Sequence, residues 1–115
     1  MDAIFPVINK SYEMYKTTLT LNNALNKRMK YSLGTELEKN VLQFLESLIF
    51  AKNAAKPMKA PYLMKASALL EIIMLKFRLF LELKLANETI IFEAQENLKE
   101  IGRMLGGWLK SVKST

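Results

Sequence analysis

The chain has 115 residues, half of them apolar, and carries a formal net charge of +6 from 17 Lys or Arg against 11 Asp or Glu. This length suits one domain with a real core, and the apolar content is too high for a disordered chain. The sequence has no Cys and no His, which excludes disulfides, thiolate catalysis, Cys-ligated metals and a Ser-His-Asp triad.

The first helical pattern lies near the N-terminus. Ile8, Tyr12, Tyr15 and Leu19 recur at spacings of four, three and four residues, which puts them on one face of a helix. Pro6 suits an early helical position, because its missing N–H would have no partner there. We predict a first helix over residues 6–27 and a link over residues 28–34.

A second helix is predicted over residues 35–55. Thr35 and Glu38 have the spacing of a capping box, in which a hydroxyl and a carboxylate each take one unpaired N–H. The apolar stripe behind them is Leu37, Val41, Phe44, Leu48, Ala51 and Ala55. The segment from Pro57 to Pro61 should end the helix.

Two further helices complete the pattern. Pro61 should open the third, over residues 61–85, with a stripe of Leu63, Ala66, Leu70, Ile73, Met74, Phe77 and Leu81. Asn87 should cap the fourth, over residues 88–110, with a stripe of Ile90, Ala94, Leu98, Ile101, Leu105 and Trp108. Gly106 could end the fourth helix, but the place of Trp108 in the stripe slightly favours a helix that continues to about Lys110.

Matched helices with short links predict an all-α fold. We expect residues 1–115 to form one domain, an antiparallel up-down-up-down four-helix bundle. Charges interrupt the most apolar region, from Ala66 to Leu85, so no membrane span is expected. Asp2 and Pro6 interrupt the N-terminal segment, so we expect no signal peptide. The lack of Cys is compatible with the cytoplasmic location that we expect.

The third helix carries a second apolar face, roughly opposite Ile73 and Phe77. It consists of Ala68, Ile72, Leu75, Leu79 and Leu83. These residues could form a wide core seam or be scattered on the surface. We favour an interface between copies of the chain, hence a homo-oligomer, because each helix of a bundle normally buries one face.

Basic residues collect at one end of the predicted bundle, where the first and third helices begin and the second and fourth finish. The cluster is Lys10, Lys52, Lys56, Lys59, Lys65, Arg103, Lys110 and Lys113, and Asp2 is the one carboxylate clearly expected there. It could bind the phosphates of nucleic acid in a salt-dependent way. The same lysines could instead complement helix C-termini and maintain solubility. Tyr62 and Trp108 could stack on bases, although packing in the core or an interface is favoured.

No catalytic residue, cofactor or metal site is predicted, and we expect a binding protein rather than an enzyme. Arg78 and Glu82 are four residues apart, which indicates an ion pair on one helix face. A hard cation could be imagined beside the acidic residues of the fourth helix, but a solvated edge is favoured for Glu93, Glu96 and Glu100. No glycine directly precedes a Lys-Ser or Lys-Thr pair, so the glycines form no phosphate-binding loop.

The segment from Glu100 to Lys110, Glu-Ile-Gly-Arg-Met-Leu-Gly-Gly-Trp-Leu-Lys, resembles the C-terminal signature of the Avd family. These are the accessory variability proteins of diversity-generating retroelements. The Tyr-Ser-Leu-Gly segment that ends at Gly34 is also similar. So is the general layout from about Tyr12 to Lys110, which covers most of the chain.

The resemblance implies a four-helix bundle that assembles into a barrel-like homopentamer. It also implies binding to the retroelement's reverse transcriptase and to RNA or DNA through basic surfaces, which supports error-prone copying of a template RNA into cDNA. Arg103 and Lys110 are the basic residues inside the signature. The alternative is a structural bundle, similar to those encoded in ribosomal-RNA intervening sequences, without a nucleic-acid role.

Overall fold

The computed structural model describes residues 4–113, with the side chains of residues 6–113. The long helices are α1 (Ile4–Asn23), α2 (Thr35–Asn53), α3 (Lys56–Glu82) and α4 (Glu88–Lys113). A short α-helical turn (Lys27–Met29) and a π-helical turn (Lys30–Gly34) lead directly into α2. Residues 4–113 contain no strand, which confirms the all-α class.

The four long helices pack around one core, as in a four-helix bundle. α2 packs against α1 and α3, and α4 packs against α3 and α1. Within the described residues α1 does not approach α3, and α2 does not approach α4, so these pairs are the diagonals. The molecule measures 47 × 22 × 19 Å.

The predicted faces of α2 and α4 are mostly buried. In α2 only Ala55 fails the prediction, because the helix ends at Asn53 and Ala55 is exposed. In α4, Ile91 takes the core position predicted for Ile90. The carbonyl Oδ1 of Asn87 accepts a hydrogen bond from the Ile90 N–H at 3.1 Å, which confirms the predicted N-cap. α4 continues through both glycines to Lys113, which confirms the favoured prediction that the helix does not stop at Gly106.

Helix α3 begins earlier and ends earlier than predicted. It starts at Lys56, and Pro57 takes the early position assigned to Pro61, which lies inside the helix. At the other end, Lys84 adopts a left-handed conformation with φ of 55°, and the Leu85 N–H bonds to the Phe80 carbonyl at 3.0 Å. This is the Schellman arrangement, which stops a helix and usually uses glycine.

The core face of α3 differs from the predicted stripe at its edges. Met74 is 37% exposed and Leu81 is half-buried, so the prediction was wrong for Met74. Leu69 and Phe80 are buried instead. The buried residues of this helix are Leu63, Ala66, Leu69, Leu70, Ile73, Phe77 and Phe80.

The predicted face of α1 was wrong for Tyr12 and Leu19, whereas Ile8 and Tyr15 are half-buried and pack against the core. Tyr12 is 51% exposed and Leu19 is 37% exposed, whereas the buried face includes two hydroxyl residues, Ser11 and Thr18. The Ser11 hydroxyl donates to the Val7 carbonyl at 2.7 Å, and the Thr18 hydroxyl donates to the Met14 carbonyl at 2.8 Å. Because each hydroxyl is satisfied within its own helix, burial leaves no hydrogen bond unmade.

The junction between α1 and α2 also differs from the prediction. α1 ends at Asn23 rather than residue 27, and helix resumes at Lys27, where Asn26 Oδ1 accepts the Met29 N–H at 2.9 Å. The capping box of Thr35 and Glu38 was therefore wrong. The Thr35 hydroxyl donates to the Lys30 carbonyl at 2.9 Å inside a continuous helical path.

Asn22 fixes this junction from inside. Its side chain is fully buried, and its amide Nδ2 donates to the Gly34 carbonyl at 2.7 Å and to Glu38 Oε2 at 2.9 Å. Glu38 therefore holds a side chain of α1 and does not cap its own helix. A Cβ on Gly34 would lie 3.1 Å from both Asn22 Cγ and Leu25 Cδ1, so any larger residue here would require these side chains to shift.

Two glycine substitutions should have opposite effects on stability. Gly34→Ala should lower the free energy of unfolding by about 1–2 kcal/mol, because Asn22 is held by two hydrogen bonds and cannot move aside. Gly106→Ala should raise it by about 0.5–1 kcal/mol, because no atom lies near the added methyl and alanine favours helix. Urea unfolding of both variants measures the difference. A Gly34→Ala protein as stable as wild type would contradict the crowding at this junction.

Candidate nucleic-acid interface

The structure brings the start of α3 and the end of α4 together, as the predicted basic cluster requires. Lys56 and Lys59 line one cleft with Trp108 and its neighbours Met104, Gly107, Ser111 and Val112. Lys110 and Lys113 line a shallow depression on another side of the same turns, beside Gly106 and Leu109. These four lysines therefore surround the last turns of α4.

Lys59 has a structural role within the cluster. Its ammonium Nζ donates to the carbonyl oxygens of Ala51 at 2.8 Å and Lys52 at 3.0 Å, in the last turn of α2. A cation there satisfies unpaired carbonyls and complements the negative end of the helix dipole. This is the alternative role that the sequence left open for these lysines.

Glu100 lies among the predicted cations. Its Oε1 is 2.7 Å from Lys10 Nζ, and its Oε2 is 3.9 Å from Arg103 Nη2. The expectation that Asp2 was the one carboxylate clearly at this end was therefore wrong, and Asp2 itself lies outside the described residues. Nothing in local sequence spacing joins Lys10 to Glu100, because the contact bridges α1 and α4.

The hydrogen bond from Lys10 is the main cause that lowers the pKa of Glu100 below its ordinary value. The charge of Lys10 adds to the effect, partial burial opposes it, and the charge of Arg103 contributes least. A carboxyl with a lowered pKa stabilises the folded state above its unfolded pKa, and that contribution is lost as pH falls through the folded pKa. The Glu100 carboxylate therefore offsets the positive charge of Lys10, its closer partner, more than that of Arg103.

Four cations of the cluster are exposed and form no ion pair within the described residues: Lys56, Lys65, Lys110 and Lys113. Arg103 keeps 72% of its side chain exposed beside Glu100. Lys52 is exposed as well. These are the groups that a phosphate could reach.

The aromatic residues near the cluster are mostly packed. Trp108 is only 7% exposed and belongs to the core, so core packing is confirmed for it. Tyr62 is half-buried and stacks on Phe50 with ring centroids 5.5 Å apart. Sequence reasoning missed Phe50, which is 57% exposed and falls outside every predicted stripe.

The second apolar face of α3 lies outside the core. Leu75 is 62% exposed, Leu83 53% and Ile72 42%, while Ala68 is exposed and Leu79 is half-buried. The idea of a wide core seam is therefore wrong for this face. Its assignment to an interface between copies stays a prediction.

Two smaller predictions concern charged side chains on helix faces. Arg78 Nε lies 3.0 Å from Glu82 Oε2, which confirms the ion pair. Glu96 pairs with Lys99 at 3.1 Å and Glu100 with Lys10, so these carboxylates face lysines. Among residues 4–113, no group of three acidic side chains is arranged to hold a metal ion, and no helix is long and apolar enough to cross a membrane.

No protein-family model matches this chain, and no curated protein matches it. The resemblance to the Avd family therefore stays an expectation from the sequence, carried by the layout of the chain, by the Tyr-Ser-Leu-Gly segment that ends at Gly34 and above all by the segment from Glu100 to Lys110. In the structure this segment is the part of α4 in which Glu100 pairs with Lys10, and its Trp108 lies beside Lys56 and Lys59 of α3.

Glu100→Gln should strengthen binding to a polyanion such as single-stranded RNA. The substitution frees Lys10 and Arg103 from a carboxylate, so the plot of log affinity against log salt should steepen by about 0.7–1.4. Acidification below the pKa of Glu100 should make wild type resemble the variant, because protonation removes the same charge. Fluorescence anisotropy at several salt concentrations gives both quantities.

The matched control is Glu93→Gln, because Glu93 is exposed and has no ion pair in the described part of the chain. Both variants gain one unit of positive charge. Equal changes in the two would show that net charge alone acts, and would contradict a local role for Glu100.

Proposed function

We propose that this chain is an oligomeric adaptor that binds nucleic acid and has no catalytic activity of its own. It would serve the reverse transcriptase of a diversity-generating retroelement in the cytoplasm, as its resemblance implies. The observation that supports the proposal most is a set of exposed cations around the last turns of α4, Lys56, Lys110 and Lys113, which form no ion pair within residues 4–113.

Cross-helix contacts support an antiparallel up-down-up-down arrangement. Lys76, late in α3, bonds to Glu36 at the start of α2, while Tyr62 early in α3 stacks on Phe50 near the end of α2. The end of α1 likewise meets the start of α2 through Asn22 and Glu38. Residues Thr20 and Ile90 line one depression, which brings the end of α1 to the start of α4.

That arrangement gathers the basic cluster at one end of a molecule 47 Å long. Cations close together raise the local potential, and their release of counterions from a nucleic acid favours binding. Contacts of this kind read the phosphate backbone and carry no sequence information. The adaptor would therefore hold RNA or DNA without regard to sequence, which suits a factor that assists copying of a template.

Self-association is the second part of the proposal. The exposed apolar residues Ile72, Leu75 and Leu83 follow one side of α3 over three turns. Phe50, which is exposed, stacks on the half-buried Tyr62 and extends the apolar surface between α2 and α3. Apolar surface of this extent is typical of protein interfaces, and a copy of the same chain is its simplest partner. The resemblance implies five copies, with the reverse transcriptase bound elsewhere.

The alternative function is a structural bundle of the ribosomal-RNA intervening-sequence type. Two observations favour it: Lys59 caps α2, and Glu100 neutralises Lys10. In that case Lys59 and Lys10 would stabilise the fold, and the remaining lysines would keep the protein soluble. The two functions differ in one measurable property, the affinity for nucleic acid at moderate salt.

A variant with Lys56, Lys65, Lys110 and Lys113 replaced by Gln tests the adaptor function. If each lysine contacts one phosphate, the salt slope for single-stranded RNA should fall by about 2.8, at about 0.7 per contact. Electrophoretic mobility shift and anisotropy assays between low and moderate salt give the slope.

The matched control replaces Lys16, Lys39, Lys84 and Lys99 by Gln, which removes the same charge from exposed positions elsewhere. We expect its slope to change little. Equal losses in both variants would contradict a localised interface. No binding by wild type even at low salt would contradict the adaptor function and favour the structural alternative.

A further inference from the structure

A second cationic surface lies at the other end of α2, outside the predicted cluster. The turn from Lys27 to Tyr31, here the basic turn, carries Lys27, Arg28 and Lys30. Lys27 and Arg28 are exposed and Lys30 is half-buried. Tyr31 is 68% exposed, the highest fraction among the large hydrophobic side chains that the structure describes. Lys59, which caps the far end of α2, is about 28 Å away by helix length.

The three cationic groups of the basic turn make no contact that would stabilise the fold within the described residues. The basic turn is the start of a helix capped by Asn26, where the dipole is positive and acidic side chains are the favourable ones. Its first turn contains no acidic residue, and its three cations form no ion pair within residues 4–113. The nearest carboxylates in the chain have other partners, since Glu38 accepts from Asn22 and Glu36 faces Lys76.

The backbone of the basic turn is held in place from both sides. The Ser32 hydroxyl donates to the Arg28 carbonyl at 2.7 Å, and the Thr35 hydroxyl donates to the Lys30 carbonyl at 2.9 Å. Behind the turn, the buried amide of Asn22 holds the Gly34 carbonyl at 2.7 Å. π-helical turns occur frequently at functional sites, and a fixed backbone reduces the entropy that binding must overcome.

We propose that the basic turn binds a single-stranded nucleic acid, with Lys27, Arg28 and Lys30 on phosphates and Tyr31 stacked on an unpaired base. A phosphate chain is complementary to three adjacent cations. To stack on a base, the Tyr31 ring needs a base whose face is free. A single strand offers such faces, whereas a duplex hides them within its stack. The inference rests on the proposed nucleic-acid role and adds a second contact remote from the basic cluster.

Two variants test the two parts of the contact separately. In a variant with Lys27→Gln, Arg28→Gln and Lys30→Gln, the salt slope for a uridine 20-mer should fall by about 2. In Tyr31→Leu the affinity for that oligomer should fall about tenfold with the slope unchanged, because stacking involves no counterion release. Affinity for an RNA duplex of the same length should change little in Tyr31→Leu. Circular dichroism checks that both variants keep their helices.

The control replaces Lys16, Lys39 and Lys99 by Gln and removes the same charge elsewhere. An equal loss in this control, or unchanged binding in both basic-turn variants, would overturn the inference. If only the Lys56, Lys65, Lys110 and Lys113 variant loses binding, the adaptor function stands and the basic turn has no part in it. If wild type binds no nucleic acid, both proposals fail. Loss of affinity for anionic lipid vesicles alone would assign the turn to a membrane surface and overturn the nucleic-acid contact.

Discussion

The core of this bundle has room for one face of each helix, and α3 carries two apolar faces. Phe77 and Phe80 fill the interior, while Leu75 and Leu83 on the opposite side stay exposed. Apolar surface left in water forgoes roughly 25 cal/mol for each Å² that could be buried. The chain has no Cys for disulfides, and its described residues bury one continuous apolar core. A second copy of the chain would bury the face that the core cannot.

The basic residues also fall into two groups, those that stabilise the fold and those that are available for binding. Lys59 on the α2 carbonyls and Lys10 on Glu100 hold helices together, and neither depends on a partner molecule. Lys110 and Lys113 pair with no carboxylate among residues 4–113, and the cations of the basic turn lie at a helix start that disfavours them. Residues of the second kind contribute nothing evident to the fold, and for that reason they support a role in binding anions.

The sequence predicts the helices well where one apolar stripe decides burial. The stripes from Leu37 to Ala51 and from Ala94 to Trp108 are buried as expected. The prediction failed where side-chain hydrogen bonds, rather than an apolar stripe, decide which residues are buried. Ser11 and Thr18 enter the core because each hydroxyl bonds to its own helix, which an apolar stripe does not reveal.

The predicted helix boundaries were wrong for a related reason. Asn22 bonds to residues that lie twelve and sixteen positions later, and Lys84 adopts a conformation usually left to glycine. The sequence predicted that the start of α3 lies near the end of α4, where Lys56 and Lys59 face Trp108, whereas the nucleic-acid interface itself stays a prediction. Glu100 among the basic residues could not be foreseen, since only the tertiary contact between α1 and α4 joins it to Lys10.

The solution mass of the protein tests most directly whether the outer face of α3 is covered by another copy. By sedimentation equilibrium over a range of concentrations, we predict a multiple of the 13.2 kDa chain mass for wild type. Leu75→Glu should shift the mass toward 13.2 kDa, whereas Tyr12→Glu, on the helix diagonal to α3, should not. A mass of 13.2 kDa for wild type at every concentration would contradict the claim that this face joins copies of the chain.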